Sequence, residues 1–423
     1  MSRMSRTLTI ALGGILILAG FTLASEKVNM ITVEGEGKNY WPRWRGPSGQ
    51  GYVEGSGYPD RWSDTDNVVW KVNVPGSGNS SPIVWSDRIF LTTAYEGGRR
   101  LSLLAFGLSD GKQLWETPIP QKGVEHAHEK NGHASATPVT DGKLVYASFG
   151  THGLAAVDFD GRIVWHRQVG SLDNYHGTAG SPILYKDTVI LYQDHKGEAF
   201  VAAFEKRTGE TKWWTERKAT VGWGTPIVIQ TAERDELIVS SQHAVDAYDP
   251  NTGKSLWNAT GNKFEVVPTP TVGHGLVFCS SGRAGPTLAI RPGGEGDVSE
   301  THVVWKSEKG SPFVPSTIIV GDYLYMINDM VSVVTAYEAK TGKLMFQGRL
   351  GTPQREGFSV SPVTFDGKIF LTNDSGETFV IEASPEFKLL HVNRLNARTL
   401  ASPALVDGRW YFRTEGELIC IGT

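Results

Sequence analysis

The sequence predicts an all-β ring of eight four-stranded blades, and three observations carry that expectation. A Ser/Thr-Pro pair opens an apolar segment at intervals of forty-odd residues: Ser81-Pro82, Thr137-Pro138, Ser181-Pro182, Thr225-Pro226, Thr269-Pro270, the degenerate Ser316-Thr317, Ser361-Pro362 and Ser402-Pro403. An aromatic residue closes nearly every unit in the same phase, at Trp115, Trp165, Trp213, Trp257, Trp305 and Phe346, with Leu390 in that place in the seventh. Between these markers run short alternating β-rich segments. Units of this length hold four short strands each, which is the arithmetic of an eight-bladed β-propeller.

Taken in chain order, residues 1–24 begin with Arg3 and Arg6, continue as an apolar run from Leu8 to Leu23 and end at small residues. This pattern predicts a signal peptide cut after Ala24; the alternative is an uncleaved anchor, because the run approaches the roughly 18 residues that span a bilayer. Residues 25–66 carry Trp41, Trp44 and the basic stretch Arg43 to Arg45, and are expected to pack on the propeller's surface. Residues 67–423 are the propeller. Its strands are anticipated at Lys143 to Ala147, Leu237 to Ser240, Leu276 to Cys279, Tyr323 to Ile327 and Lys368 to Thr372. Asp141-Gly142, Asp366-Gly367 and Asp407-Gly408 mark tight hairpins, whose residues tolerate positive φ.

The eighth unit ends after three strand-like runs, and an orphan strand, Asn67 to Val74 with Trp70, precedes the first. Pairing that strand with Glu417 to Ile421 completes the last blade from both termini and covers two exposed edges. An open solenoid would leave those edges bare and would need capping repeats.

Composition narrows the function classes. With 41 Lys+Arg against 45 Asp+Glu the chain carries a net charge of −4 and no basic stripe, which argues against nucleic acid as a partner. Its two cysteines, Cys279 and Cys420, invite a disulfide reading in an exported protein. The blade map places them three blades apart, too far for the roughly 7 Å a disulfide tolerates. Two buried free thiols are therefore expected.

The segments Ala203 to Trp213 (AFEKRTGETKW), Ala247 to Trp257 (AYDPNTGKSLW) and Ala336 to Phe346 (AYEAKTGKLMF) resemble the A-x-D-x-x-T-G-x-x-x-W repeat of the pyrroloquinoline-quinone (PQQ)-type β-propellers. Degenerate copies lie at Ala105 to Trp115, Ala156 to Trp165 and Val380 to Leu390. The copy from Ala289 to Trp305 is stretched by a Gly-rich insertion, Pro292 to Glu300. The resemblance extends over roughly Asn67 to Thr423. It is strongest to exported PQQ-like repeat proteins that begin with a Trp-Arg-Gly-Pro stretch, as at Trp44 to Pro47, and to the cofactor-free BamB scaffolds. The chain departs from BamB in lacking a lipidated cysteine. It departs from the quinoprotein dehydrogenases in lacking an adjacent cysteine pair and in having too little sequence for their long loops, so the motifs do not support bound PQQ or Ca²⁺.

Candidate site residues follow from the loop map. The loops between strands two and three, and those from strand four to the next blade, share one face, and seven of the eleven histidines fall there. The densest stretch is Glu125 to Ser135, in which His126 and His128 with Glu129 or His133 could ligate a metal, the alternative being a polar loop with local hydrogen bonds. His176, Asp194, His195, Trp223, Arg283, Asp329 and Arg355 are expected on the same face as ligand-binding groups. No nucleophile elbow, P-loop or Cys/His dyad is present. The sequence thus points to an exported, monomeric binding or scaffolding module that takes a protein or a small polar ligand on its loop face. Two alternatives are a PQQ/Ca²⁺ oxidoreductase, with Asp194 or Asp329 as base, and metal-dependent chemistry at the His-rich loop.

Overall fold

The computed structural model describes residues 28–218, 221–283, 285–307, 309–352 and 357–423. The expected signal peptide and Arg355 lie outside the described residues. Eight antiparallel sheets follow one another around a ring. Blade one consists of Ile83–Trp85, Arg88–Tyr95, Arg100–Gly107 and Gln113–Pro118, hydrogen-bonded in that order. The first strand of each blade lies innermost; the others are Val139–Thr140, Ile183–Tyr185, Ile227–Gln230, Thr271–Gly273, Ile318–Val320, Val363–Phe365 and Ala404–Val406. Closure is as expected: Val68–Asn73 pairs antiparallel with Glu417–Ile421 and supplies the fourth strand of blade eight.

Burial explains the apolar runs. Middle strands such as Thr188–Gln193 and Phe200–Glu205 are buried along their whole length, because each blade packs both faces on its neighbours. The outermost strand Thr211–Glu216 has the sequence of a half-exposed strand and buries only Trp213. The cores lie between blades: Tyr146, Leu154 and Trp165 of blade two pack with Val189, Leu191 and Phe204 of blade three. Each such aliphatic or aromatic side chain contributes roughly 1.5–3 kcal/mol.

The spaced Thr-Gly and Trp of the repeat meet across blade boundaries. Trp165 of blade two donates its indole N–H to the Lys206 carbonyl of blade three at 2.7 Å, and Gly209 of that same turn presses on the ring. A Cβ on Gly209, whose φ is +70°, would lie 2.6 Å from Trp165 Cδ2. The pairing recurs as Trp70 with Gly111, Trp115 with Gly161, Trp213 with Gly253 and Trp305 with Gly342. Trp70 therefore locks the closing strand onto blade one as the other tryptophans lock their own blades.

Trp257 is the exception. The insertion adds Gly296–Asp297 as a parallel strand beside it, followed by a short helix, Ser299–His302. Its indole donates instead to Glu236 Oε2 at 2.8 Å. Two of the three anticipated Asp-Gly hairpins have both residues at positive φ, Asp366-Gly367 and Asp407-Gly408. At Asp141-Gly142 only the glycine does, and the Asp141 carboxylate caps the turn by accepting the N–H groups of Lys143 and Leu144. Cys279 and Cys420 are buried and free.

The Ser/Thr-Pro pairs have an equally specific role. The backbone N–H of Ser81 donates to Thr137 Oγ1, Thr137 to Ser181, Ser181 to Thr225, Thr225 to Thr269, Thr269 to Ser316, Ser316 to Ser361 and Ser361 to Ser402, at 2.9–3.3 Å. A crown of seven hydroxyls thus stitches the innermost strands together. Ser316 explains why the degenerate copy is tolerated, since it keeps the hydroxyl and loses only the proline. The crown opens between Ser402 and Ser81, at the seam where the two ends of the chain meet; there Ser81 Oγ is buried without a partner.

The segment preceding the propeller packs on its innermost strands. Asn29–Met30 pairs with Ile227–Gln230, Trp41 bridges Val84, and Tyr52 bridges Thr364, all on innermost strands. Arg45 is buried and donates to the carbonyls of Gln50 and Thr317, each at 2.7 Å. The inner strands of a wide ring leave their central edges unpaired, and this segment satisfies them. Farther on, Trp62 stacks among Phe370, Trp410 and Phe412 between blades seven and eight.

Candidate functional site

A cavity of about 270 Å³ lies at the centre of the ring. Thr137, Ser181, Thr225, Thr269, Ser316, Ser361 and Ser402, the crown residues, line it together with Trp44. Trp44 donates its indole N–H to Thr269 Oγ1 at 3.0 Å and also lines a smaller cavity on its other side, so it forms the partition between the two. The upper walls come from loops of a single face.

Three connections build those walls. The loop from blade one to blade two crosses toward the centre, where the Asn79 amide holds the carbonyls of Lys130 and Asn131, each at 2.9 Å. Asn131 in turn donates to the His176 carbonyl at 2.8 Å, and the His128 N–H donates to the same oxygen. Lys130 Nζ lies 2.7 Å from the buried Asp374 carboxylate of blade seven. Trp223, between blades three and four, is held by its indole N–H on the Gly177 carbonyl at 2.8 Å. Glu265, between blades four and five, accepts from Tyr175 Oη at 3.3 Å and lies 3.5 Å from His176 Nε2 and 3.3 Å from Arg283 Nε.

The aromatic groups form one wall. His176 stands 5.0 Å from the His128 ring and 5.6 Å from Trp223, and Arg283 lies over Phe313 at 5.4 Å. Burial pushes the His176 pKa below its ordinary value against the pull of Glu265, and burial lifts Tyr175 to about 12 with help from Glu265. Asp329 accepts the Phe313 N–H at 2.7 Å and is pushed up to about 6 by burial. Burial raises Asp374 as well, opposed by Lys130. The cations and anions of the wall are mutually paired, which suits binding of a ligand more than proton transfer.

Of the residues anticipated from sequence, His128, His176, Trp223 and Arg283 line the cavity, and Asp329 touches its wall through Phe313. His126 and Glu129 are exposed outside it, and His133 packs against Gly98, where burial lowers its pKa. Asp194 and His195 are buried in internal contacts. Asp194 forms a two-point ion pair with the buried Arg217 at 2.7 and 3.0 Å, and His195 Nδ1 accepts the N–H groups of Asp173 and Gly197. A loop position in sequence does not specify which side chains turn inward. Glu265, Lys130 and Trp44 were not anticipated as site residues; a charged residue in a blade-to-blade loop is the signal that could have marked the first two.

Among the described residues no three His, Cys, Asp or Glu side chains are gathered so as to hold a metal ion. The one carboxylate among the cavity-lining residues, Glu265, already faces Arg283, and the lining Lys130 is paired with the fully buried Asp374. A quinone with its calcium ion would have to displace both cations, so this donor set does not fit that group.

The family model described as outer membrane protein assembly factor BamB matches residues 61–201. The outer membrane protein assembly factor BamB of Moranella endobia is 29% identical over 153 residues, covering 35% of this chain and 36% of the relative, so the chain spans about a third of that relative's length. The Burkholderia pseudomallei protein of the same name is 25% identical over 336 residues, covering 74% of this chain and 78% of the relative. Among solved structures, BamB from Moraxella catarrhalis superposes with a TM-score of 0.60 at 15% identity, covering 84% of this chain and 96% of that one. A quinohemoprotein alcohol dehydrogenase from Comamonas testosteroni superposes at 0.66 with 12% identity, covering 90% and 80%. At these identities the solved structures share the fold alone. The repeat, the closed eight-bladed ring and the likeness to BamB sequences together make the chain a PQQ-like repeat β-propeller that resembles the BamB proteins.

Proposed function

We infer that the protein is a scaffold of the cell envelope that holds a protein partner on its loop face during outer-membrane protein assembly. The observation that carries this reading is where large apolar side chains remain exposed. Among the described residues, and apart from those on outermost strands, they are Val124, Tyr175, Phe264, Met330 and Val331, all on loops of the cavity face. Phe264 is 65% exposed beside Glu265, the residue on which the aromatic wall converges. Apolar groups gathered on one face of a rigid ring mark an interaction surface. The matches to BamB sequences support the choice of partner class and the envelope location.

The test is made in the native host. Deleting the gene lowers the amount of folded outer-membrane protein, and a variant carrying Phe264→Ser, Met330→Ser and Val331→Ser fails to restore it. Full restoration by that variant would exclude the loop face as the working surface.

A further inference from the structure

The crown hydroxyls have a property that their stitching role does not require. Each accepts the N–H of the preceding blade, yet none of the seven donates a hydrogen bond to another protein group among the described residues. All seven residues are more than nine-tenths buried and line one cavity. A hydroxyl whose oxygen already accepts a hydrogen bond is polarised toward donating, and a donor without an acceptor in a buried site is costly. The floor of the cavity is therefore a ring of unused donors.

The charge near that floor is also one-sided. On the walls, Lys130 faces Asp374 and Arg283 faces Glu265. Arg45 reaches Thr271 and Thr317, just beyond crown residues Thr269 and Ser316, and also donates to the Gln50 carbonyl. Arg413 donates to Ser80 and to the Thr92 carbonyl at the open seam of the crown. Among the described residues neither arginine has a carboxylate partner and both have an unpartnered Nε, and burial lowers Arg45 to about 10 and Arg413 to about 9. Two buried positive charges beside a ring of donors favour an anion.

We propose that the central cavity is a carboxylate-binding well, with the crown hydroxyls taking the carboxylate oxygens and the wall of Trp223, Phe313, Val267, Val314 and Leu400 covering an apolar or aromatic body. Hydroxyl donors with no free cation in the cavity itself suit a monoanion better than a phosphate dianion. The inference rests on the loop face as the working face, because the cavity's walls are built by that face. The carboxylate can belong to a free small acid or to the terminus of a bound peptide.

Titration calorimetry on the full chain tests the proposal with benzoate and phenylacetate against benzamide and phenylacetamide, and with a leucine-terminated tripeptide in its free-acid and amidated forms. At least one acid saturates below about 10 mM, and its amide binds about tenfold more weakly. Thr225→Val is the variant of choice, because the N–H it orphans makes one of the longest bonds of the crown, 3.3 Å. It weakens acid binding about threefold or more and leaves amide binding unchanged. Which acid binds tighter distinguishes the free acid from the peptide terminus. No saturable acid, or acids and amides of equal affinity, would overturn the proposal even if Thr225→Val failed to fold. Either failure would leave the host test of the loop face unaffected.

Discussion

Replacing Gly209 by alanine puts a methyl group 2.6 Å from Trp165 Cδ2 and 2.7 Å from Cε3, at a backbone φ of +70°. The ring cannot retreat freely, because its N–H is held by the Lys206 carbonyl at 2.7 Å and Arg167 Nε is bound to the Gly209 carbonyl at 2.7 Å. The backbone strain costs about 1 kcal/mol, and overpacking adds about 1–3 kcal/mol, giving a loss of about 2–4 kcal/mol. Gly367 is the control: its φ is +66°, and nothing lies within 4 Å of an added Cβ. Gly367→Ala therefore loses only the backbone part, about 1 kcal/mol. Urea unfolding followed by tryptophan fluorescence compares the two variants. Equal losses at both positions would refute the claim that the repeat's glycine is selected by contact with the preceding blade's tryptophan.

Other expectations follow from the same geometry. Asp194→Asn removes the two-point partner of buried Arg217 and costs about 3–5 kcal/mol in urea unfolding; unchanged stability would show that Asp194 does not anchor Arg217 in blade three. Burial raises Asp329 from 3.8 to about 6, so the folded state binds the extra proton and this group's contribution to stability falls as pH rises from about 4 to 6. Asp329→Asn flattens that part of the stability-versus-pH curve, and superimposable curves for wild type and variant would contradict the assignment. Burial lifts the Cys279 thiol to about 12 and the Cys420 thiol to about 11, so a thiol reagent at pH 8 labels neither in the folded protein and both after unfolding. Rapid labelling of the native chain would contradict their burial.

The parts of the fold that repeat were legible because repetition converts weak local preferences into phase. Ser181-Pro182 alone is an ordinary turn, whereas eight such starts in register with Trp165, Trp213 and Trp305 define blades and predict the pairing of Val68–Asn73 with Glu417–Ile421. The hydroxyl crown was not legible, since each of its bonds joins residues 41 to 56 positions apart in neighbouring copies. Residues 28–62 carry no repeat, and nothing in Trp41 to Arg45 indicates whether they pack outside the ring or within it.

For the site, loop membership picked out four of the groups that line the cavity, His128, His176, Trp223 and Arg283. It could not separate those from Asp194 and His195, whose side chains turn into the blade interfaces. Nor could it show that Lys130, from the connection between blades one and two, reaches the Asp374 carboxylate of blade seven. That contact depends on ring curvature, which no local pattern encodes.

The central claim, that partners are held on the face surrounding the cavity, is tested most directly by site-specific photocrosslinking in the host envelope. Lys254 precedes and Phe264 follows the outermost strand of blade four, Ser255–Thr260; both are exposed, Phe264 on the cavity face and Lys254 on a turn of the opposite face. A benzophenone-bearing residue in place of Phe264 is predicted to give a discrete protein adduct, and the same group in place of Lys254 to give none. Adducts of equal yield from both positions, or an adduct from Lys254 alone, would contradict the account.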